Sequence, residues 1–274
     1  TILISVFPAS FARENNLFIM KQWLAGFKET KLVKGTVYAI VGLFSYPGIN
    51  LINKLEIKGM ESLQNLPKQN VLFVSNHQTY FAEVITFLHI FCAVSWRKKH
   101  KLGIPYYLLW PFTRVKYVAA EETMKSDLIS KLFSLAGAIT VKRTWNSGAQ
   151  EVRKGLDPTD TRKIERALQN NWVITFPQGT TKPFAPGRKG TAFIIKHHKP
   201  VVVPVVISGF WRAFNKKGLK FKKKGTLLTV TFKEPLQIDY NDTTENILAT
   251  VMDAIEQSKK FMIKGNHKEE VLKK

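Results

Sequence analysis

The chain has 274 residues, 45% of them apolar, enough to bury a sizeable core in one large domain or in one domain with an appendage. Its single cysteine, Cys92, excludes a disulfide framework and a cysteine-based metal site, and points to a reducing compartment. Forty-two Lys and Arg against twenty Asp and Glu give a net charge of +22, a field that attracts polyanions such as nucleic acid, an anionic membrane face or phosphorylated substrates.

Thr1–Asn16 lacks the basic-then-apolar order of a signal peptide and is assigned no role. From Leu17 to Phe27, apolar residues recur at helical spacing with Lys21, Lys28 and Lys31 among them, the pattern of a basic amphipathic interfacial helix. No residue between Lys34 and Lys54 is charged. That run approaches the roughly 20 apolar residues needed to span a bilayer, but Pro47-Gly48 interrupts it. We read it as a second helix that lies on or dips into one leaflet and ends near Ser45; a full span and a buried helix hairpin are the other readings.

Leu55–Gly59 alternates as a strand, and a loop through Pro67 follows. Val71–Val74 is a short β-branched run that reads as a buried strand and ends in the turn residues Ser75-Asn76. His77 comes next, and Glu83 stands near the start of the apolar segment Phe81–Val94. Strand ends are where α/β proteins usually bind ligands. If Glu83 takes the proton of one imidazole nitrogen, the other is left as a base that could deprotonate a hydroxyl attacking an acyl carbon. A histidine beside an apolar segment is more often structural, so this pair gains weight only if the rest of the chain supplies an anion site and an acyl channel.

The aromatic stretch Ile104–Phe112 suits a pocket wall or core packing. Glu121–Gly137 reads as a helix, and Ala138–Val141 as a strand ending in Lys142-Arg143, where Arg143 could fork onto a phosphate. Asp160–Asn171 is a helix with an Asp cap. Trp172–Phe176 is a strand running into Pro177-Gln178-Gly179-Thr180-Thr181-Lys182, where a glycine, hydroxyls and an ammonium could cradle an anion. Arg188 is a further candidate cation, and Gly190–His198 a short helix. Val201–Ile207 is a buried strand whose Pro204 argues for an edge, a bulge or a special turn. Lys216–Lys224 is strongly basic, with Leu219 and Phe221 interleaved, which suits anionic lipid as well as RNA. Leu227–Phe232 is a last strand, Asn246–Ile263 a terminal helix, and Gly265–Lys274 a basic tail. The alternation over residues 54–235 predicts an α/β fold with a mixed, largely parallel central sheet flanked by helices, preceded by the N-terminal amphipathic helix pair. Walker and Gly-x-Ser-x-Gly patterns are absent, and His197-His198 lack companions at metal-ligand spacing, so no metal is expected. The expected organisation is an N-terminal membrane-interface segment over 1–53, the α/β domain over 54–264 and the tail over 265–274.

Four blocks stand in order: Asn76-His77 with Glu83; Gly137–Arg143; Phe176–Lys182; and Val203-Pro204-Val205. Together they resemble the glycerolipid acyltransferase family, in particular the lysophosphatidic acid acyltransferases, over about residues 70–210. The resemblance implies transfer of a fatty acyl group from acyl-coenzyme A or acyl carrier protein, with no other cofactor, to the hydroxyl of a lysophospholipid. By the same token His77 is the general base and Glu83 its partner. Arg143, Gln178, Gly179, Thr180, Thr181, Lys182 and Arg188 hold the acceptor's phosphate, and Val203 and Pro204 shape the acyl pocket. The expected partners are an anionic membrane surface, on its cytoplasmic face, and the lipid substrates, with no nucleic acid. Two departures stand out. The family's Asp, five positions after the histidine, is replaced by Ala82, with Glu83 one place later, so a bend must bring Glu83 to the imidazole. Gln178 stands for a glutamate and Thr181-Lys182 for an arginine-serine pair, which leaves open an amino-acid-headed lysolipid acceptor, or a catalytically impaired lipid-binding relative.

Overall fold

A computed structural model describes residues 31–124, 128–141 and 158–262. The first predicted helix, Arg143 and the basic tail lie outside these residues. Seven strands form one sheet: β1 (Lys54–Lys58), β2 (Val71–Ser75), β3 (Val115–Ala120), β4 (Ala138–Val141), β5 (Trp172–Thr175), β6 (Val201–Ser208) and β7 (Leu227–Phe232). Their order is β1-β7-β6-β2-β5-β3-β4. The five strands from β6 to β4 run parallel, and β7 reverses the direction by pairing antiparallel with β6. β1 then pairs parallel with β7. The fold is therefore the expected mixed, largely parallel α/β sheet.

The sheet is buried on both faces, so its central strands are continuously apolar rather than alternating. All five residues of β2 are buried. Phe73 joins a core with Phe91, Trp172 and Phe232, beneath α1 (Lys31–Tyr46) and α2 (Ala82–Ser95). Leu72 and Val74 point the other way, into a second core under α3 (Pro158–Leu168), α4 (Lys189–His198) and α5 (Thr244–Ala254). β2 is thus followed by a helix on one face and β5 by a helix on the other. The two strands are neighbours, so a crevice opens between their carboxyl ends, the usual ligand position in open α/β sheets.

Three local expectations are corrected. Pro47-Gly48 does not end the apolar helical run, because α1 continues through a π-helical turn, Pro47–Ile52. The wider turn accommodates a proline that has no N–H to give. Over 121–137 the described residues are helical at Glu121–Met124 and Leu128–Leu135, and residues 125–127 lie outside the described residues. Pro204 lies within an interior strand: its carbonyl accepts from Lys233 N, and the β6–β7 register begins only at Val205. Its missing donor therefore falls just past the last pair of that ladder, which is why an interior strand tolerates the proline. Finally, α5 stops at Ala254, with Glu256 at φ +59°, so the terminal helix is not continuous.

Lys34, which bounds the uncharged run, is itself buried. Its ammonium donates to the carbonyls of Thr113, at 2.6 Å, and Val115, at 2.5 Å. The far end of α1 is fixed by a buried polar chain, in which Ser45 Oγ lies 2.9 Å from His89 Nε2 and His89 Nδ1 3.0 Å from the Tyr107 hydroxyl. The opposite face of α1 exposes Leu32, Ile40, Leu43 and Phe44, and Leu51 continues it. By length and composition, the run Lys31–Ile52 is long and apolar enough to cross a membrane.

Candidate active site

β2 ends at Ser75, and Asn76 extends the pairing with its side chain instead of its backbone. Its amide donates to the Ile207 carbonyl at 2.9 Å and accepts from Ile207 N at 2.8 Å. Gln78 adds a second tie: its Nε2 donates to Ile207 O, and Phe210 N donates to its Oε1 at 3.0 Å. The chain is thereby fastened to the end of β6 on either side of His77, before α2 begins.

The residues between His77 and α2 are not helical, and Phe81 precedes the helix at φ −127° and ψ −32°. This bend returns Glu83, in the first turn of α2, to the imidazole. His77 Nδ1 lies 2.9 Å from Glu83 Oε1. The same oxygen accepts from Gln78 N at 2.7 Å and Thr79 N at 2.8 Å, and the Thr79 hydroxyl donates to Glu83 Oε2. The Glu83 side chain is fully buried, and that of His77 is 14% exposed. Burial pushes the Glu83 carboxyl up. The His77 imidazole and the hydrogen bonds from His77 and Thr79 more than offset it and hold the group below the ordinary carboxylate range. An ionised Glu83 at this distance fixes the tautomer with hydrogen on Nδ1, leaving the Nε2 lone pair for a substrate proton. Nε2 makes no hydrogen bond among the described residues.

Phe176, the first residue after β5, stacks on the His77 ring with centroids 4.1 Å apart and planes inclined at 24°. The first and third blocks therefore meet across the crevice. Beyond Phe176 the loop turns on Gly179, at φ +59°, with the Arg188 side chain lying over it. A Cβ at Gly179 would stand 2.7 Å from Arg188 Nε, so the absence of a side chain permits the approach. Thr180 and Thr181 are half-buried and Lys182 is exposed; Lys182 N donates to the Thr180 hydroxyl at 3.3 Å. Gln178 is buried, and its amide faces inward, toward the carbonyl of Ala185 at 3.1 Å and Gln257 Oε1 at 3.1 Å. It braces the loop from within, and the break after α5 is what brings Gln257 to it. Val203 and Pro204 are buried in the interior of the sheet, shortly before the strand end that Asn76 holds.

Thr79, Gln78, Phe176 and Gln257 were not among the sequence-predicted site residues. The polar pair Gln78-Thr79 between a histidine and an apolar helix carries a signal for two of them, since such residues bond the backbone in turns. Gln257 lies about eighty positions from its partner and carries none. Among the described residues, no three of His, Cys, Asp and Glu gather where they could hold a metal ion.

A sequence model of the Acyltransferase family matches residues 54–208, and the chain belongs to that family. The match runs from β1 to the end of β6 and includes the whole crevice. Among solved structures, the chain is similar to the 1-acyl-sn-glycerophosphate (LPA) acyltransferase PlsC from Thermotoga maritima, at 16% identity and a TM-score of 0.43, over 81% of this chain and 78% of that one. No curated protein matches.

Proposed function

We propose that this acyltransferase moves a fatty acyl group from a thioester, acyl-coenzyme A or acyl carrier protein, to the hydroxyl of a lysophospholipid, with lysophosphatidate as the reference acceptor. The observation that carries the reading is the His77–Glu83 hydrogen bond at the crevice between β2 and β5. The acceptor hydroxyl gives its proton to His77 Nε2 as its oxygen attacks the thioester carbonyl. Glu83 balances the imidazolium that forms, through the proton held on Nδ1. As the tetrahedral adduct collapses, the carbon–sulfur bond breaks, and the departing thiolate takes the proton back from Nε2. The products are the ester and a free thiol, with His77 restored to neutral.

Arg188, Thr180, Thr181 and Lys182, together with Arg143, are assigned to the acceptor's phosphate. Gln178 is assigned to holding their loop, because its amide is turned inward. This assignment leaves the acceptor's anion to cations and backbone donors, and it favours a phosphate over an amino-acid headgroup. The apolar outer face of α1 supports work at a membrane, where a lysophospholipid acceptor resides.

The test is thiol release by purified protein with acyl-coenzyme A, or acyl carrier protein, and detergent-dispersed lysophosphatidate. Release should require the acceptor, and His77→Ala should abolish it, by about a thousandfold or more, while the thermal unfolding profile stays cooperative. Turnover retained in that variant removes His77 from the mechanism. A glycine-headed lysolipid used in preference to lysophosphatidate overturns the acceptor assignment.

A further inference from the structure

The segment that follows β6 has no part in the reaction described above, yet it touches the catalytic loop directly. Between Trp211 and Thr226 the chain carries seven cations, Arg212 and six lysines, and no carboxylate. It folds as a short hairpin: Phe214 and Phe221 form an antiparallel bridge, and the Asn215 side chain accepts from the amides of Gly218, Leu219 and Lys220. All six lysines are exposed, and so are Trp211, Leu219 and Phe221. Phe214 anchors the hairpin in the core and Phe221 packs on its ring, but the six lysines repel one another, and Trp211, Leu219 and part of Phe221 are left facing water.

Two placements give the hairpin a use. First, it abuts the end of the apolar helical run. A Cβ on Gly48 would stand 2.9 Å from Phe221 Cζ, Gly225 N donates to Ile52 O, and Thr226 N donates to Asn53 Oδ1. The lysines thus stand beside the end of the run that exposes Leu43, Phe44 and Leu51. Second, its inner edge holds the loop that positions Glu83. Tyr80 N donates to Lys216 O at 2.9 Å and Phe81 N to Lys217 O at 3.1 Å. Gly218, at φ +80°, lies so close that a Cβ there would stand 2.6 Å from the Thr79 hydroxyl oxygen and from Ala82 N. Thr79 is the residue whose hydroxyl and amide both bond Glu83.

We propose that the hairpin Asn215–Lys224 is a docking surface for an anionic lipid bilayer, and that its seating on the bilayer steadies the catalytic loop, so that turnover rises with the anionic lipid content of the membrane. Charge complementarity selects the occupant, because lysines alternating with Leu219 and Phe221 match a headgroup layer with acyl chains beneath it. The hairpin's place beside the end of that apolar run selects a bilayer over a soluble acidic partner. This inference rests on the reading of the substrate as a membrane lipid.

The experiment compares the full chain with Lys220→Gln/Lys223→Gln/Lys224→Gln, in which no backbone contact to Tyr80 or Phe81 is altered. A second variant replaces the same three lysines by arginine. Co-sedimentation is measured with phosphatidylcholine vesicles with and without 30 mol% phosphatidylglycerol, with no substrate present, and turnover is then measured on the bound enzyme. Partition of the full chain onto anionic vesicles should exceed that of the glutamine variant by roughly 100-fold, from about one lysine's worth of attraction at each site. The difference should shrink in 1 M salt, where screening length falls to about 3 Å. Partition onto neutral vesicles should be the same for both, and the arginine variant should bind like the full chain. Turnover per bound molecule should rise with phosphatidylglycerol in the full chain and stay flat in the glutamine variant. Equal partition of the full chain and the glutamine variant onto anionic vesicles overturns the docking surface, and so does capture of an acidic acyl carrier protein in preference to vesicles. Lost partition with an unchanged lipid dependence of turnover overturns the coupling. Because the vesicle measurement needs no catalysis, failure of the acyl-transfer reading shows separately, as absence of thiol release in every form.

Discussion

Glu83→Gln preserves the side-chain shape and removes its charge. The carboxylate takes four donors: His77 Nδ1, the amides of Gln78 and Thr79, and the Thr79 hydroxyl. A glutamine oxygen in the place of Oε1 keeps the first three as neutral bonds, and its amide faces Thr79 Oγ, which can accept as well as donate. The structural loss is then the difference between charged and neutral hydrogen bonds, about 1 kcal/mol each, offset in part because no charge remains to be desolvated. We expect about 1–2 kcal/mol, or a fall in Tm of roughly 2–8 °C for a chain of this size. The effect on rate is larger, because the imidazolium formed in the reaction loses its counter-charge. At the 2.9 Å separation the Coulomb ceiling is about 6 kcal/mol at an effective dielectric constant of about 20. With the hydrogen bond itself retained, about 3–5 kcal/mol of that should be lost, a fall in kcat of about 10²–10⁴. Stability carries a pH signature as well. The folded-state pKa of Glu83 is depressed, so its contribution is complete above the unfolded value of about 4.3 and disappears as pH falls through the lower folded value. The stability gap between wild type and variant should therefore close in acid. Steady-state thiol release and thermal unfolding at several pH values make the comparison. Turnover within tenfold of wild type would refute the assignment of Glu83 as the partner of the base.

Asn76→Ala leaves the amide and the carbonyl of Ile207 without the partners that Asn76 gives them. The expected loss is about 2–4 kcal/mol, read from the urea midpoint; a loss below about 0.5 kcal/mol would mean that water or Gln78 replaces the clamp. His89 is held neutral by burial, with its pKa depressed to about 4. A depressed histidine favours the folded state fully above the unfolded value of about 6.5, and that stability is withdrawn as pH falls toward the folded value, on the order of 3 kcal/mol in all. Its ring resonances should stay flat from about pH 8 to about pH 5; a midpoint near 6.5 would show that water reaches the Ser45–His89–Tyr107 chain.

Most of the elements were legible because their signals are local. Val71–Val74 and Val201–Ile207 could only be buried strands, given β-branched runs too short for helices, and the turn residues after β2 and β5 marked where chemistry could sit. His77 and Glu83 could be named as a pair from residue type and proximity in sequence. Their contact could not be derived, because it depends on a non-helical bend whose shape is set by Gln78 and Thr79 bonding to groups elsewhere in the fold. Periodicity is likewise silent on strand order. Only packing against helices on both faces puts β5 beside β2, and so stacks Phe176 on a histidine about a hundred positions earlier. The inward turn of Gln178 was also beyond the sequence, because its partner Gln257 is delivered by a helix break that a continuous apolar pattern conceals. Pro204 shows the same division: the residue forbids a ladder donor wherever it stands, but where the neighbouring strand ends, and hence whether that donor is missed, is decided by tertiary register.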